Sequence, residues 1–286
     1  MAPAFPLIAL TILVLVAPSA QFTHYEEGSC RLIGDPDVYG IGVRLSYYLS
    51  FFAGVIALST HNYRAVDDVK KGNAIVGLAI LIVLIRNAVL GSLAAFEWDL
   101  VFTMVFLLMS IAFIPLTIIG RTTNSAVLCI VYGLFNVLLP WIFFTLANQG
   151  RREDCDLKAF LFAYFDFYNI HWVTFLKAAS VIICLLGVGF ISAGIALFVK
   201  GLADDDDDDD DYDDDSSFKR NLARFFAALS LVTGVTTIVF TEKLISGNDI
   251  DLSEASLGAT NQLIPFLIGI FSFVSTIWTV FKDLRD

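Results

Sequence analysis

Arg86 and Asn87 stand in a long apolar run, AILIVLIRNAVLGSLAAF, residues 79–96, and a helix starting near Ala74 carries Arg86 close to the bilayer centre. Insertion of arginine at that depth costs about 2.5–3.5 kcal/mol, so the charge needs a partner or a purpose. No Asp or Glu is expected at matching depth in another apolar segment. Asn136 is the best-matched side chain; Ser110, Thr236 and Ser275 are weaker matches. Arg44 and Lys177 lie nearer the outer ends of their segments, as does Lys243 beside Glu242, so the membrane-buried charge is net positive. Two chemistries follow. Arg86 binds Asn136, Asn87 and water and holds helices in register, which is the expected role, or it serves an internal anion or polar ligand.

Catalytic and metal chemistry finds less support. His24, His61 and His171 are the only histidines and fall at different depths, whereas zinc requires three or four ligands converging at one place. No Ser-His-Asp set shares a leaflet. Gly40-Ile41-Gly42 and Gly187-Val188-Gly189 follow no strand and open no phosphate loop; they read as close-packing positions between membrane helices. No metal, no cofactor and no enzymatic activity are expected.

The elements that position these residues are membrane helices. The chain of 286 residues is 57% hydrophobic and 16% charged, with a mean hydropathy of +0.75. A water-soluble domain of this size needs more polar surface. After a first apolar stretch, seven segments of near-span length occur at 41–59, 74–96, 100–120, 126–148, 174–199, 222–245 and 262–281. About twenty residues at 1.5 Å rise cross some 30 Å of hydrocarbon, and helices alone satisfy the backbone there without barrel-type alternation. The expected fold is an all-α seven-helix bundle spanning residues 21–286.

The first segment, residues 1–20, reads as a cleaved signal peptide: an apolar stretch from Phe5 to Val16, then Ala17, Ser19 and Ala20 at the cleavage site. That places the new N-terminus outside and, after seven crossings, the C-terminus in the cytoplasm. Loop charges agree. Arg64, Lys70, Lys71, Arg121, Lys200, Lys219, Arg220, Lys282 and Arg285 fall inside, while the outer pairs Glu97/Asp99 and Asp249/Asp251 with Glu254 have no basic companions. Cys30 and Cys155 both fall outside, in the oxidising compartment, and a disulfide between them is expected; Cys129 and Cys184 lie within spans. The secretory pathway and the plasma membrane are the expected destination.

The net charge of −11 comes from one place. The run from Asp204 to Asp215 holds eleven aspartates around Tyr212, so the rest of the chain is near neutral and no attraction to nucleic acid follows. Such a run is expected to be disordered across the inner loop 200–220, a solvated linker or a docking segment for a cytoplasmic partner. The aromatic stretch AFLFAYFDFYNIHW, residues 159–172, is expected at the headgroup level ahead of the fifth span, with a ligand-cupping loop as the sharper alternative.

After Cys30 the chain reads GDPDVYGIGVRLSYYLSFF, residues 34–52. This resembles the opening of a group of fungal multi-pass membrane proteins with an outer Cys, a Gly-Asp/Asn-Pro-Asp box and Gly-x-Gly-Val-Arg entering the first span. The resemblance covers about twenty residues and implies fungal origin and architecture, not activity. Physically, Asp35, Pro36 and Asp37 suit a turn at the membrane surface, Gly40 and Gly42 admit close helix approach, and Arg44 is expected to reach Asp37 or Asp35. G-protein-coupled receptors share the orientation but not the motifs: the third span ends Gly120-Arg121-Thr122 and the seventh lacks Asn-Pro-x-x-Tyr. The seventh also lacks a lysine for a retinal Schiff base, and the proline pattern of SWEET-type sugar transporters is missing. The functional expectation is a receptor-like or sensor-like surface protein in the lipid bilayer, ligand unknown; the alternative is a small-solute or anion transporter or channel.

Overall fold

A computed structural model describes Cys30 and residues 32–60, 62–90, 93–110, 122–146, 155–160, 163–203, 217–252 and 257–285. The segment 1–20, the aspartate run, His24 and His61 lie outside the described residues. In chain order the elements are α1 (Pro36–Tyr39), α2 (Ile41–Ser59), α3 (Tyr63–Leu90), α4 (Ala95–Ser110), α5 (Thr122–Thr145), β1 (Lys158–Phe160), β2 (Tyr164–Asp166), α6 (Ile170–Ala203), α7 (Ser217–Gly247) and α8 (Thr260–Arg285). Five of these stretches are long and apolar enough to cross a membrane: Pro36–Ser59, Asn124–Thr145, Ile170–Gly201, Asn221–Gly247 and Thr260–Asp283.

Burial separates inner helices from outer ones. The apolar window of α2 is 61% buried and that of α5 56%, against 11% for α6 and 17% for α8. The outer faces carry large apolar side chains in the open: Leu185 is 69% exposed, Phe271 70% and Trp278 73%. Apolar surface on this scale belongs to a membrane-associated protein. Helix α2 packs against α3, α4, α7 and α8. Its Phe51 is fully buried and fills the notch at Gly234 of α7, where a Cβ would come within 2.0 Å of the ring.

The pair α5–α6 makes the most extensive contact in the fold. Ser180, Gly187, Gly194 and Gly201 recur every seventh residue on α6 and all are buried. A Cβ at Gly187 would stand 2.8 Å from the carbonyl oxygen of Gly133, and one at Gly133 2.6 Å from that of Gly187. Small residues thus let two backbones touch, where lipid supplies no hydrophobic drive for association.

Helix bounds differ from the hydropathy segments. α3 begins at Tyr63, not near Ala74, because Asn62 caps it, Oδ1 accepting from the Ala65 N–H at 2.9 Å. Its polar first turns bury one face, Ala65, Val66, Val69, Asn73 and Ala74. Lys70, expected in a loop, is fully buried there and donates from Nζ to Ser125 Oγ at 3.0 Å. At its far end α3 stops at Leu90 and α4 starts at Ala95, so Phe96 belongs to α4. Residues 200–203 and 217–220, expected in the disordered loop, are helical turns of α6 and α7.

The all-α expectation needs one amendment. β1 and β2 form an antiparallel hairpin with Lys158 opposite Asp166 and Ala159 opposite Phe165. This is the aromatic stretch, and its hairpin forms a cap in which Ala159, Phe167 and Tyr168 are buried while Tyr164 and Ile170 are exposed. Phe167 is 1% exposed and meets Phe96 edge-on at 5.6 Å, and Phe160 meets Phe240 at 5.5 Å. Aromatic side chains in short strands gain by such packing, which outweighs helix continuation here.

Candidate functional site: a polar network at the disulfide end

Cys30 and Cys155 are joined by a disulfide with their Cα atoms 5.3 Å apart. Around it, three chain segments knit together. Leu32 to Gly34 lie beside the loop after α7: the Asp251 N–H donates to Leu32 O at 2.8 Å and the Gly34 N–H to Asp251 O at 3.1 Å. Asn248 clasps β1 through both amide atoms, accepting from the Lys158 N–H at 2.6 Å and donating to Lys158 O at 2.7 Å. Asp249 turns the chain with φ of 47°.

Beneath the cap, Asp35 begins α1 as its N-cap, its Oδ1 accepting from the Asp37 N–H at 2.9 Å with Pro36 in the first turn. Burial pushes the Asp35 carboxyl above its usual range, against the stabilising N–H of Asp37. Tyr39, fully buried, accepts from the Asp35 N–H at 3.1 Å and donates its phenolic proton to Glu97 Oε1 at 2.5 Å. The other oxygen of Glu97 accepts from the Ala94 N–H at 2.7 Å, so Glu97 also closes the first turn of α4 as a capping-box glutamate does. Asn87 of α3 reaches the same place, donating to Asp35 Oδ2 at 3.5 Å.

Gln262, fully buried on α8, staples this corner to α2. It accepts from the Gly42 N–H at 3.0 Å and donates to Pro36 O at 2.7 Å. A Cβ at Gly42 would lie 1.9 Å from Gln262 O, and one at Gly40 2.2 Å from Gln262 Oε1. Next to Gln262, Asn261 donates to Asp37 Oδ1 at 2.8 Å.

Arg44 turns elsewhere than to Asp37 or Asp35. Its NH1 donates to both oxygens of Glu242 on α7 at 2.6 Å, and the Tyr48 hydroxyl adds a bond to Oε1 at 2.7 Å. The arginine side chain is 9% exposed and the glutamate 48%. Antiparallel packing explains the pairing: Arg44 is three residues into α2 and Glu242 five from the end of α7, so they lie level.

Arg86 and Asn136 sit in different settings. Arg86 is partly buried four residues before the end of α3, roughly 6 Å along the axis, next to the Asn87 that binds Asp35. Asn136, 2% exposed, hydrogen-bonds Tyr132 one turn away on α5 and lines an apolar cavity of about 330 Å³ with Leu186 and Phe190. The depth expected for Arg86 was counted from a helix starting near Ala74, whereas α3 runs Tyr63–Leu90. Glu97, Glu242, Gln262 and Tyr48 were missed as site residues. Depth counted from helix ends would have found Glu242, and Ala94 to Glu97 has the spacing of a capping glutamate.

Among the described residues most side-chain bonds between helices sort by end, Cys184 Sγ to Val137 O at 4.0 Å being an exception partway along α5 and α6. Asp35, Tyr39, Arg44, Asn87, Glu97, Glu242 and Gln262 join at the disulfide end. At the opposite end Asn124 donates to Asp67 Oδ2 at 2.7 Å and Asn62 to Asp283 Oδ2 at 2.6 Å. Among the described residues no group of three or more His, Cys, Asp or Glu could hold a metal ion. No family model, no curated protein and no solved structure matches this chain.

Proposed function

We propose that this chain is a seven-span, non-enzymatic surface protein of receptor-like or sensor-like type, with the disulfide end outside and the C-terminus in the cytoplasm. One observation carries the reading: the disulfide-stapled cap continues by hydrogen bonds into four helices, α2, α4, α7 and α8. A shift of the cap by a ligand would be felt at four helix ends at once, as a bistable sensor requires. The grouping of most described interhelical bonds at two ends supports alternating crossings, and the oxidised cysteines support the outside placement. The secretory pathway and plasma membrane follow from the same reading, and the aspartate run is the surface offered to a cytoplasmic partner. The box after Cys30 supports kinship with the fungal multi-pass proteins it resembles.

A small-solute or anion transporter is the second reading, supported by Arg86, a half-buried arginine in the apolar part of α3. Two experiments decide. Protease protection of tags at Gln21 and Asp286 in sealed vesicles should place them on opposite sides; tags on one side overturn the topology. Purified protein in liposomes should pass neither anions nor sugars. Flux that Arg86→Ala abolishes would replace the receptor reading by the transporter.

A further inference from the structure

A crevice of about 420 Å³ opens between α4 and α7, beside the aromatic wall of Phe102 and Phe106. Phe106 is 40% exposed, and both rings also border the cavity that holds Asn136. The volume lies within the range of about 300–1,000 Å³ typical of small-ligand sites, which are mostly apolar with a few placed polar groups. Here the polar groups are all threonines: Thr103 on α4 and Thr233, Thr236 and Thr237 on α7.

Their hydroxyl protons are already committed. Thr103 donates to Asp99 O at 2.9 Å, Thr233 to Leu229 O at 2.5 Å, Thr236 to Val232 O at 2.8 Å and Thr237 to Thr233 O at 2.8 Å. This back-bonding to the preceding turn is what threonine does in an apolar helix. A hydroxyl has one donor and two lone pairs, so the little polar surface these threonines lend a nearly apolar crevice can only accept. A carboxylate, phosphate or ester carbonyl brings more acceptors and gains nothing there. An alcohol brings the missing proton, and in hydrocarbon an unpaired hydroxyl is costly.

We propose that this crevice binds a bilayer lipid with one alcohol on an otherwise hydrocarbon body, of the sterol type, its hydroxyl donating to a threonine oxygen of α7. The site runs up α7 from Val232 to Phe240, roughly 12 Å, the length of a fused-ring body. The proposal rests on the reading that α4 and α7 lie in a bilayer, not on the receptor role.

The test uses the full chain in nanodiscs with a photoreactive sterol alcohol carrying a tail diazirine. Label should fall on α4 and α7, and unlabelled alcohol should compete about tenfold better than its methyl ether, as one hydrogen bond predicts. Thr233→Val/Thr236→Val/Thr237→Val, which keeps shape and removes the three α7 acceptors, should bring alcohol and ether level. Phe106→Trp, which fills the crevice, should abolish labelling while the melting curve stays near wild type. Equal competition by alcohol and ether in the wild type, or label on other helices, overturns the proposal. Carbonate extraction separates the premise: release of the chain from membranes refutes the bilayer reading itself, whereas retention with no alcohol preference refutes only the lipid site.

Discussion

Tyr39 donates its phenolic proton to Glu97, 58 residues away, and that contact helps tie the turn before α2 to the first turn of α4. The glutamate is 2% exposed, and its second oxygen is taken by the backbone of Ala94. Removing the phenol takes one donor from a buried carboxylate that also accepts from the Asp35 and Ala94 N–H groups. Tyr39→Phe should lower stability by about 1–3 kcal/mol in detergent melts, and Glu97→Gln should cost less, because its amide oxygen still accepts from the Ala94 N–H. An unchanged melting curve for Tyr39→Phe would show that the bond contributes nothing.

The Arg44–Glu242 pair is lopsided in burial, and the expected energetics follow from that. Glu242→Leu strands a buried guanidinium and should cost roughly 1–3 kcal/mol, below the 3–5 of a fully buried pair because water reaches the carboxylate. Arg44→Leu/Glu242→Leu should be milder than Glu242→Leu alone. A double-mutant cycle by thermal melts checks this; additive losses would mean that the two charges do not interact.

The reach of hydropathy is visible in these same residues. The long apolar runs and the disulfide were legible, because span length and compartment chemistry act on whole segments. The helical start of α3 was not, because its turns are polar and form by an Asn62 cap and one buried face. The interruption at Leu93 and Ala94, between α3 and α4, was hidden by apolar residues on both sides. The box residues Asp35 and Asp37 open a short helical turn, with Asp35 half-buried and Asp37 exposed. Their partners Asn87 and Asn261 come from remote helices, and no local pattern announces them.

Two glycines give opposite expectations. Gly42 meets the backbone of Gln262, and a methyl group at 1.9 Å from a carbonyl oxygen can be relieved only by parting α2 from α8. Gly42→Ala should cost about 3 kcal/mol or more, with loss of monodisperse protein on size exclusion. Gly72, inside α3, has nothing within 4 Å of its would-be Cβ. Gly72→Ala should gain about 0.5–1 kcal/mol from helix propensity. If the two variants melt alike, the close approach of α2 and α8 is wrong.

The disulfide makes the last prediction, on stability and sidedness together. Cys30 and Cys155 are 125 residues apart, so the cross-link removes a large loop from the unfolded ensemble. Cys30→Ser/Cys155→Ser should lose about 5 kcal/mol on the loop-entropy scale. The cap should loosen first, because Cys30 leads into the Leu32–Asp251 pairing and Cys155 into β1. Hydrogen exchange should therefore rise at residues 32–34 and 158–166 before it rises in α5. A membrane-impermeant reductant applied to intact cells, followed by thiol labelling, should reach both cysteines. Thiols that label only after the membrane is permeabilised would put the disulfide end inside and invert the proposed topology.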